Sequence, residues 1–305
     1  MKLFRLTLLY ALLFIACEHK ELCYSHPHFV SVRVTFDWSQ IYNHDKPEGM
    51  RVIFFPKDEK GESWTFDFPG GKDRVIEIPE NDYQVISFNY DTEGITWGNS
   101  QRFTAFTADT REVSSPEGSV MYTTPSWLCG DDHSDIRLKG IPAGSEVTVP
   151  ITPRNRVCRY TYEVNGIRHL SRVTDVRASL SNMASSLLMA GDRLPEDLSE
   201  SLLFGGTISN EQVKGGFYTF GYCQQSSQAN IFKLYLKNRS GRMYVLEQDV
   251  SQQIHDIPIS GHLADVHLVI HFDYDIPDDP SGGSGGAGFD VDVDHWSDVN
   301  EDIIL

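Results

Sequence analysis

No CxxC pair occurs among the five cysteines, which argues against a zinc ribbon or a thioredoxin-type redox motif. No apolar run reaches the about 20 residues that a helix needs to span a bilayer. Basic residues are scarce, with 26 Lys and Arg against 43 Asp and Glu, and they stop altogether after Arg242. Residues 243–305 hold 14 acidic groups, so most of the net charge of −17 lies at that end and the preceding body is nearly neutral. This leaves no basic face for nucleic acid and nothing to draw the chain electrostatically to an anionic membrane surface. Catalytic constellations are missing too. Ser284 in "GGSGG" spells GxSxG, but inside a Gly/Ser stretch rather than on a strand-to-helix elbow. "PGGKD" at 69–73 lacks the glycine spacing of a P-loop and the Ser or Thr after its lysine. His267 and His271 have the spacing of a zinc-protease helix, yet Leu268 stands where the base would be. Neither that pair nor His26 and His28 has further ligands spaced to complete a metal site. No enzyme activity, metal or cofactor is implied.

What is present begins at the first residue. Lys2 and Arg5 precede an apolar core from Leu6 to Ile15, and the small residue Ala16 follows. That order is a secretory signal, residues 1–16. Phe14-Ile15-Ala16-Cys17 resembles the lipobox of bacterial lipoproteins. The resemblance implies cleavage before Cys17 and a diacylglycerol on its thiol, a group whose thiolate is the reactive form. Acyl chains then hold the protein to the membrane, each buried CH₂ contributing about 0.8 kcal/mol. Residues 17–28, with Cys23, read as a tether. The pairing of Cys23, Cys129, Cys158 and Cys223 stays open, since four cysteines allow three connectivities.

Strand patterns dominate the body. In "VSVRVTFDW" Val30, Val32, Val34, Phe36 and Trp38 share one face, while Ser31, Arg33, Thr35 and Asp37 share the other. "MRVIFFP" and "SWTFDF" read as a hairpin, followed by "RVIEIP" and "DYQVISFNYD". From Gly94 to Asp135 the pattern weakens, and "TTPSWLCGDD" reads as loop. In "RVCRYTYEV" the buried face is Cys158, Tyr160, Tyr162 and Val164. "SLSNMASSLLMAG" suits a turn or two of helix, and strands return in "GGFYTFGYC", "NIFKLYLKN", "RMYVLEQDV" and "ADVHLVIHFDYDI". Short, regularly spaced strands with little helix predict an all-β protein of two β-sandwiches, over residues 29–153 and 154–276.

Residues 277–288 form a Gly/Ser linker. In the acidic segment 289–305, Phe289, Val291 and Val293 alternate with Asp290, Asp292 and Asp294. An alternating strand on a flexible linker is suited to β-augmentation, with Phe289, Val291, Val293 and Trp296 as the side chains it would bury in a partner. Pairing within the chain and an acidic disordered tail remain the alternatives. A calcium-loop reading of Asp290, Asp292, Asp294, Asp298 and Glu301 fails at His295, where the sharp turn demands Gly.

The lipobox cysteine, "CYSHPHFVSVRVTFDW" entering the first strand, "SLSNMASSLLMAG", "VHLVIHFDYDIP" and the Gly-rich bridge to "FDVDVDHWSDV" together resemble the fimbrillin-type lipoproteins of Bacteroidetes. These are subunits and anchors of type V pili, and the branch most similar is the minor-fimbrial anchor-like one. The resemblance implies two transthyretin-like β-sandwich domains, lipid attachment to the outer membrane at the cell surface, and fimbrial or related protein subunits as partners. It also implies assembly by strand exchange, in which the C-terminal strand of one subunit fills a groove in its neighbour. In polymerising members a protease opens that groove at an arginine, for which Arg33, Arg51, Arg154 and Arg156 are the candidates here. The other reading is a surface glycan-binding lipoprotein, with Trp64, Trp97 and Trp127 as its aromatic platform.

The lipid reading has a direct check. Cys17→Ala should abolish incorporation of labelled fatty acid and move the protein from the membrane to the soluble fraction of cells; unchanged labelling rejects it.

Overall fold

The computed structural model describes residues 28–41, 46–142, 144–196 and 199–278. Cys17 and the segment containing Phe289, Val291, Val293 and Trp296 lie outside the described residues.

The first half carries β1 (Phe29–Phe36), β2 (Gly49–Pro56), β3 (Trp64–Pro69), β4 (Arg74–Pro79), β5 (Asp82–Asn89), β6 (Thr96–Gly98), β7 (Thr107–Asp109), β8 (Glu112–Ser114), β9 (Val120–Thr123), β10 (Cys129–Arg137) and β11 (Glu146–Ile151). The second half continues with β12 (Arg154–Asn155), β13 (Cys158–Arg168), β14 (Val173–Met183), β15 (Ser186–Leu188), β16 (Glu200–Gly205), β17 (Thr207–Ser209), β18 (Gln212–Thr219), β19 (Ile231–Asn238), β20 (Met243–Asp249), a five-residue helix α1 (Ser251–His255) and β21 (Val266–Asp275).

These strands build two β-sandwiches. In the first, a three-stranded sheet β11-β1-β4 covers a five-stranded sheet β12-β10-β5-β2-β3. In the second, a four-stranded sheet β17-β18-β13-β21 covers a six-stranded sheet β20-β19-β14-β16-β9-β8. The alternation in β1 does what its pattern predicts: Val30, Val32 and Val34 are buried, and Arg33 faces water. In β13 Cys158, Tyr160, Tyr162 and Val164 are buried, and Tyr162 donates its hydroxyl to the Gly205 carbonyl at 2.8 Å.

β2 and β5 do not alternate, and the structure shows why. Val52, Phe54 and Val85 enter the core of the first sandwich. Ile53, Phe55, Ile86 and Phe88, on the opposite face, enter a second apolar core with Phe103, Phe106, Leu187 and Phe220. A strand covered on both faces reads as a continuous apolar run. This second core is the seam between the sandwiches. Phe88 lies against Trp97 with ring centres 3.8 Å apart, and Phe106 stacks on both.

The seam is also stitched by backbone. A three-stranded sheet β15-β7-β6 joins residues from both halves. Thr110 and Met189 N–H groups donate to Ser185 and Phe106 carbonyls at 2.9 and 3.0 Å. The hairpin β8–β9 then leaves the first half and extends the six-stranded sheet, with β9 parallel to β16. Its loop covers Tyr235, whose hydroxyl donates to Glu117 at 3.2 Å. The weak pattern after Gly94 therefore marks the segment that ties the halves together.

Two local expectations are corrected. "SLSNMASSLLMAG" is not helical: β14 runs to Met183, and Asn182, at φ 60°, lies where its pairing with β16 shifts register between Leu180 and Met183. Its apolar residues serve two cores rather than one helix face, Leu180 and Met183 in the second sandwich and Leu187 and Met189 in the seam. "TTPSWLCGDD" is only partly loop, since Cys129 opens β10. The sole helix of α type among the described residues, α1, starts where Asp249 accepts hydrogen bonds from the Ser251 N–H and hydroxyl.

Phe88 is 2 % exposed and belongs to the seam. Phe88→Ala should cost about 3–5 kcal/mol of unfolding free energy, the range for emptying a buried aromatic site. Chemical denaturation measures it, and a loss below about 1 kcal/mol would show that the seam contributes little.

Candidate assembly site

At the polar margin of the seam lies the one fully buried arginine among the described residues, Arg156, between β12 and β13. A buried guanidinium needs charged partners to offset its lost hydration. It has one from each side. Nη2 meets Asp132 Oδ1 of β10 at 2.9 Å, and Nη1 meets Asp192 Oδ1, after β15, at 2.9 Å. Nε donates to the Gly130 carbonyl at 3.3 Å. Arg154 reaches the same two carboxylates from the exposed side, at 3.4 and 3.6 Å. His262, before β21, places Nε2 3.1 Å from Asp192 Oδ1 and Nδ1 against the Phe220 carbonyl. The other Asp132 oxygen accepts the Gly191 N–H at 3.0 Å.

Burial alone would raise the Asp192 pKa, but its His262 hydrogen bond and the Arg156 charge outweigh that and hold it at about 2. Burial likewise opposes the Arg156 charge, and Asp192 and Asp132 overcome it. Beside this cluster opens a cavity of about 430 Å³, bounded by Asp192, Leu194, Glu196, Cys223, Gln224 and His262.

A second cluster lies where β21 ends. Arg168 Nη1 contacts Asp273 at 2.6 Å and its Nε contacts Asp275 at 3.3 Å. His169 Nδ1 contacts Asp275 at 2.5 Å, and Arg172 pairs with Asp278 at 2.5 Å and donates to the Ile276 carbonyl. Such exposed pairs are individually weak. Their anchor is Ile276, which is fully buried and whose N–H donates to the Arg168 carbonyl at 3.2 Å. The last described residues, up to Asp278, are thus fixed to the body.

The other sequence candidates are dispersed. Trp64 is exposed and meets Phe29 edge-on; Trp97 is stacked in the seam; Trp127 is half-buried and donates Nε1–H to Asn155 at 2.9 Å. They do not form one aromatic platform, because packing uses two of them. His267 and His271 share the exposed face of β21, with His267 Nδ1 2.9 Å from the Thr161 hydroxyl. Among the described residues no group of three His, Cys, Asp or Glu is placed to hold a metal ion. Arg33 and Arg51 are in paired strands with carboxylate partners Glu146 and Asp67, and Arg156 is buried, so none of the three is offered in an extended loop. Cys129 and Cys158 carry free, buried thiols. Burial pushes Cys158 up to about 12 and Cys129 upward too, which keeps both protonated and unreactive.

Sequence reasoning missed the Arg156 cluster. Its one local trace is the charged "RNR" wedged between two strands; the acids that complete it are distant in the chain.

The two sandwiches and their shared seam define an all-β protein of the β-sandwich class. The chain belongs to the family described as Domain of unknown function (DUF5119), whose profile matches residues 16–205. Over 93 residues it is 32% identical to a Bacteroides ovatus protein named as fimbrium anchoring subunit Fim4B, covering 30% of this chain. The match spans about a quarter, 26%, of that relative's length. Among solved structures, a Bacteroides ovatus protein described as an adhesin superposes with a TM-score of 0.65 at 18% identity, covering 83% of this chain and 95% of the other. The fimbrial anchor protein Mfa2 from Porphyromonas gingivalis does so at 0.52 and 14%, covering 79% and 91%. The sequence-based resemblance to Bacteroidetes fimbrial proteins and the β-sandwich fold both stand.

Asp192→Asn should leave Arg156 under-compensated and cost roughly 3 kcal/mol at neutral pH. Because the folded pKa of Asp192 is depressed, its contribution is present above its unfolded value of about 4 and is lost as pH falls toward about 2. The variant should therefore lose less stability than wild type between pH 5 and 2, read from urea midpoints; parallel curves would reject the assignment.

Proposed function

We propose that this protein is a lipid-anchored, exported, non-enzymatic element of a fimbria-like assembly, attached to the outer membrane at Cys17 and joined to partner subunits through its C-terminal strand. The observation that carries the reading is the combination of the fimbrial-anchor fold with a C-terminal segment that departs from a clamped root at Ile276–Asp278. The two sandwiches, drawn mainly from residues 29–153 and 154–276, with β12 in the first and β8 and β9 in the second, serve as the body between the two attachment points. The name of the Bacteroides ovatus relative supports an anchoring role.

In this mechanism Phe289, Val291, Val293 and Trp296 fill a partner's groove while the intervening aspartates face water. Backbone hydrogen bonds supply affinity and the alternate side chains supply specificity. The aspartates also discourage free tails from pairing with each other.

Deleting residues 289–305 should abolish co-purification of fimbrial subunits without changing the folded body, as judged by circular dichroism. Undiminished co-purification would refute strand donation and leave lipid anchoring to be judged separately.

A further inference from the structure

Among the large apolar side chains left exposed on the described residues, two are aromatic: Phe29, 52% exposed, and Trp64, 38% exposed. They touch, edge to face, with ring centres 6.3 Å apart. Exposed Val120, Ile208, Val245 and Val269 lie on four different strands of the second sandwich, the scatter that is ordinary for a protein surface. The aromatic pair is not scatter. Phe29 opens β1 and Trp64 opens β3, so it spans the two sheets at one end of the first sandwich. Its backbone is fixed: Phe29 pairs with Pro79 of β4, and the His28 carbonyl accepts the Glu80 N–H at 2.5 Å. The sheet carrying Phe29 gives no residue to the seam, because β2 and β5 stand between it and the second sandwich. The corner therefore faces away from the second sandwich.

This corner is also where the fold begins, directly after residues 17–28. A stretch of that length reaches about 40 Å at most when fully extended. An acyl chain on Cys17 would hold Phe29 and Trp64 within that distance of the bilayer, whereas nothing comparable holds the valines and the isoleucine of the second sandwich there. Tethering makes a second contact effectively intramolecular, at roughly millimolar effective concentration, so a weak contact suffices. Its chemistry must be apolar. The chain carries a net charge of −17 and offers no basic face to an anionic surface. Aromatic rings with one apolar body and one polar edge are favoured at headgroup level, Trp above all.

We infer that Phe29 and Trp64 form a membrane-docking corner, which inserts into the lipid interface beside the tether and sets the first sandwich against the bilayer. The inference rests on the anchoring at Cys17 proposed above and adds a second, apolar point of attachment. One acyl anchor alone would let the body swing; a corner seated in the interface gives it an orientation.

The test uses residues 17–305 with Cys23→Ser, coupled at Cys17 to one synthetic palmitoyl chain and mixed with phosphatidylcholine vesicles; Cys129, Cys158 and Cys223 are buried. A single acyl chain binds marginally and reversibly, so a second contact is readable as partition. Phe29→Ser/Trp64→Ser should lower the partition at least about tenfold. Brominated phosphatidylcholine should quench the part of the emission that Trp64→Phe removes. Added salt or anionic lipid should change wild-type partition by less than about twofold, since no charge attraction is involved. Equal partition of the double variant and wild type overturns the proposal, as does Trp64 emission that brominated lipid leaves unquenched. Partition that collapses in salt overturns it too, because charge elsewhere would then hold the chain. If the double variant loses its β-sheet circular dichroism, Phe29→Ser alone is judged by the same partition, with a fall of at least about threefold expected. The acyl chain is attached chemically, so these results stand apart from the fatty-acid labelling of Cys17 in cells, which judges the anchoring reading by itself.

Discussion

A guanidinium shut away from water is tolerable only while its counter-charges stay in place. Arg156 draws those counter-charges from both parts of the molecule: Asp132 belongs to a strand of the first sandwich, and Asp192 follows a strand of the seam sheet and is braced by His262. Any rotation of one sandwich against the other would strip a carboxylate from Arg156 and leave a buried charge exposed to a low-dielectric surround. The apolar seam supplies most of the cohesion, because Phe55, Phe88, Phe106 and Phe220 leave water there. It is non-directional, however, and the ion cluster is what selects one orientation.

The remaining connections follow from that fixed orientation. With the sandwiches held, β7 can pair with β15 and β9 with β16, each in register. The hairpin β8–β9 then closes over Tyr235, which would otherwise stand on an outer sheet face. At the far end, Ile276 and the Arg168, His169 and Arg172 group fix the last described residues to the body.

Much of this was legible in the chain. The alternation in β1 and β13 predicted which residues are buried, because each strand has one wet face and period 2 is then unambiguous. Local periodicity misleads where a segment serves two cores. Ser179–Gly191 carries apolar residues at helix-like spacing, yet Leu180 and Leu187 point to different cores, a fact of tertiary structure that local periodicity does not encode. The Arg156 cluster was invisible for a related reason: Arg156 meets Asp132 and Asp192 only after the chain has folded back twice.

The parallel pairing of Tyr122 with Leu202 and Thr123 with Leu203 has a consequence for the order of events during synthesis. The N-terminal half cannot finish its own fold when it emerges, because the strand that β9 needs is made much later. Until residues 200–205 arrive, the β8–β9 hairpin lacks the strand that joins it to its sheet and flanks a partly open apolar surface. Such intermediates recruit chaperones and aggregate when they wait too long. The two halves should therefore mature as a single cooperative unit rather than domain by domain.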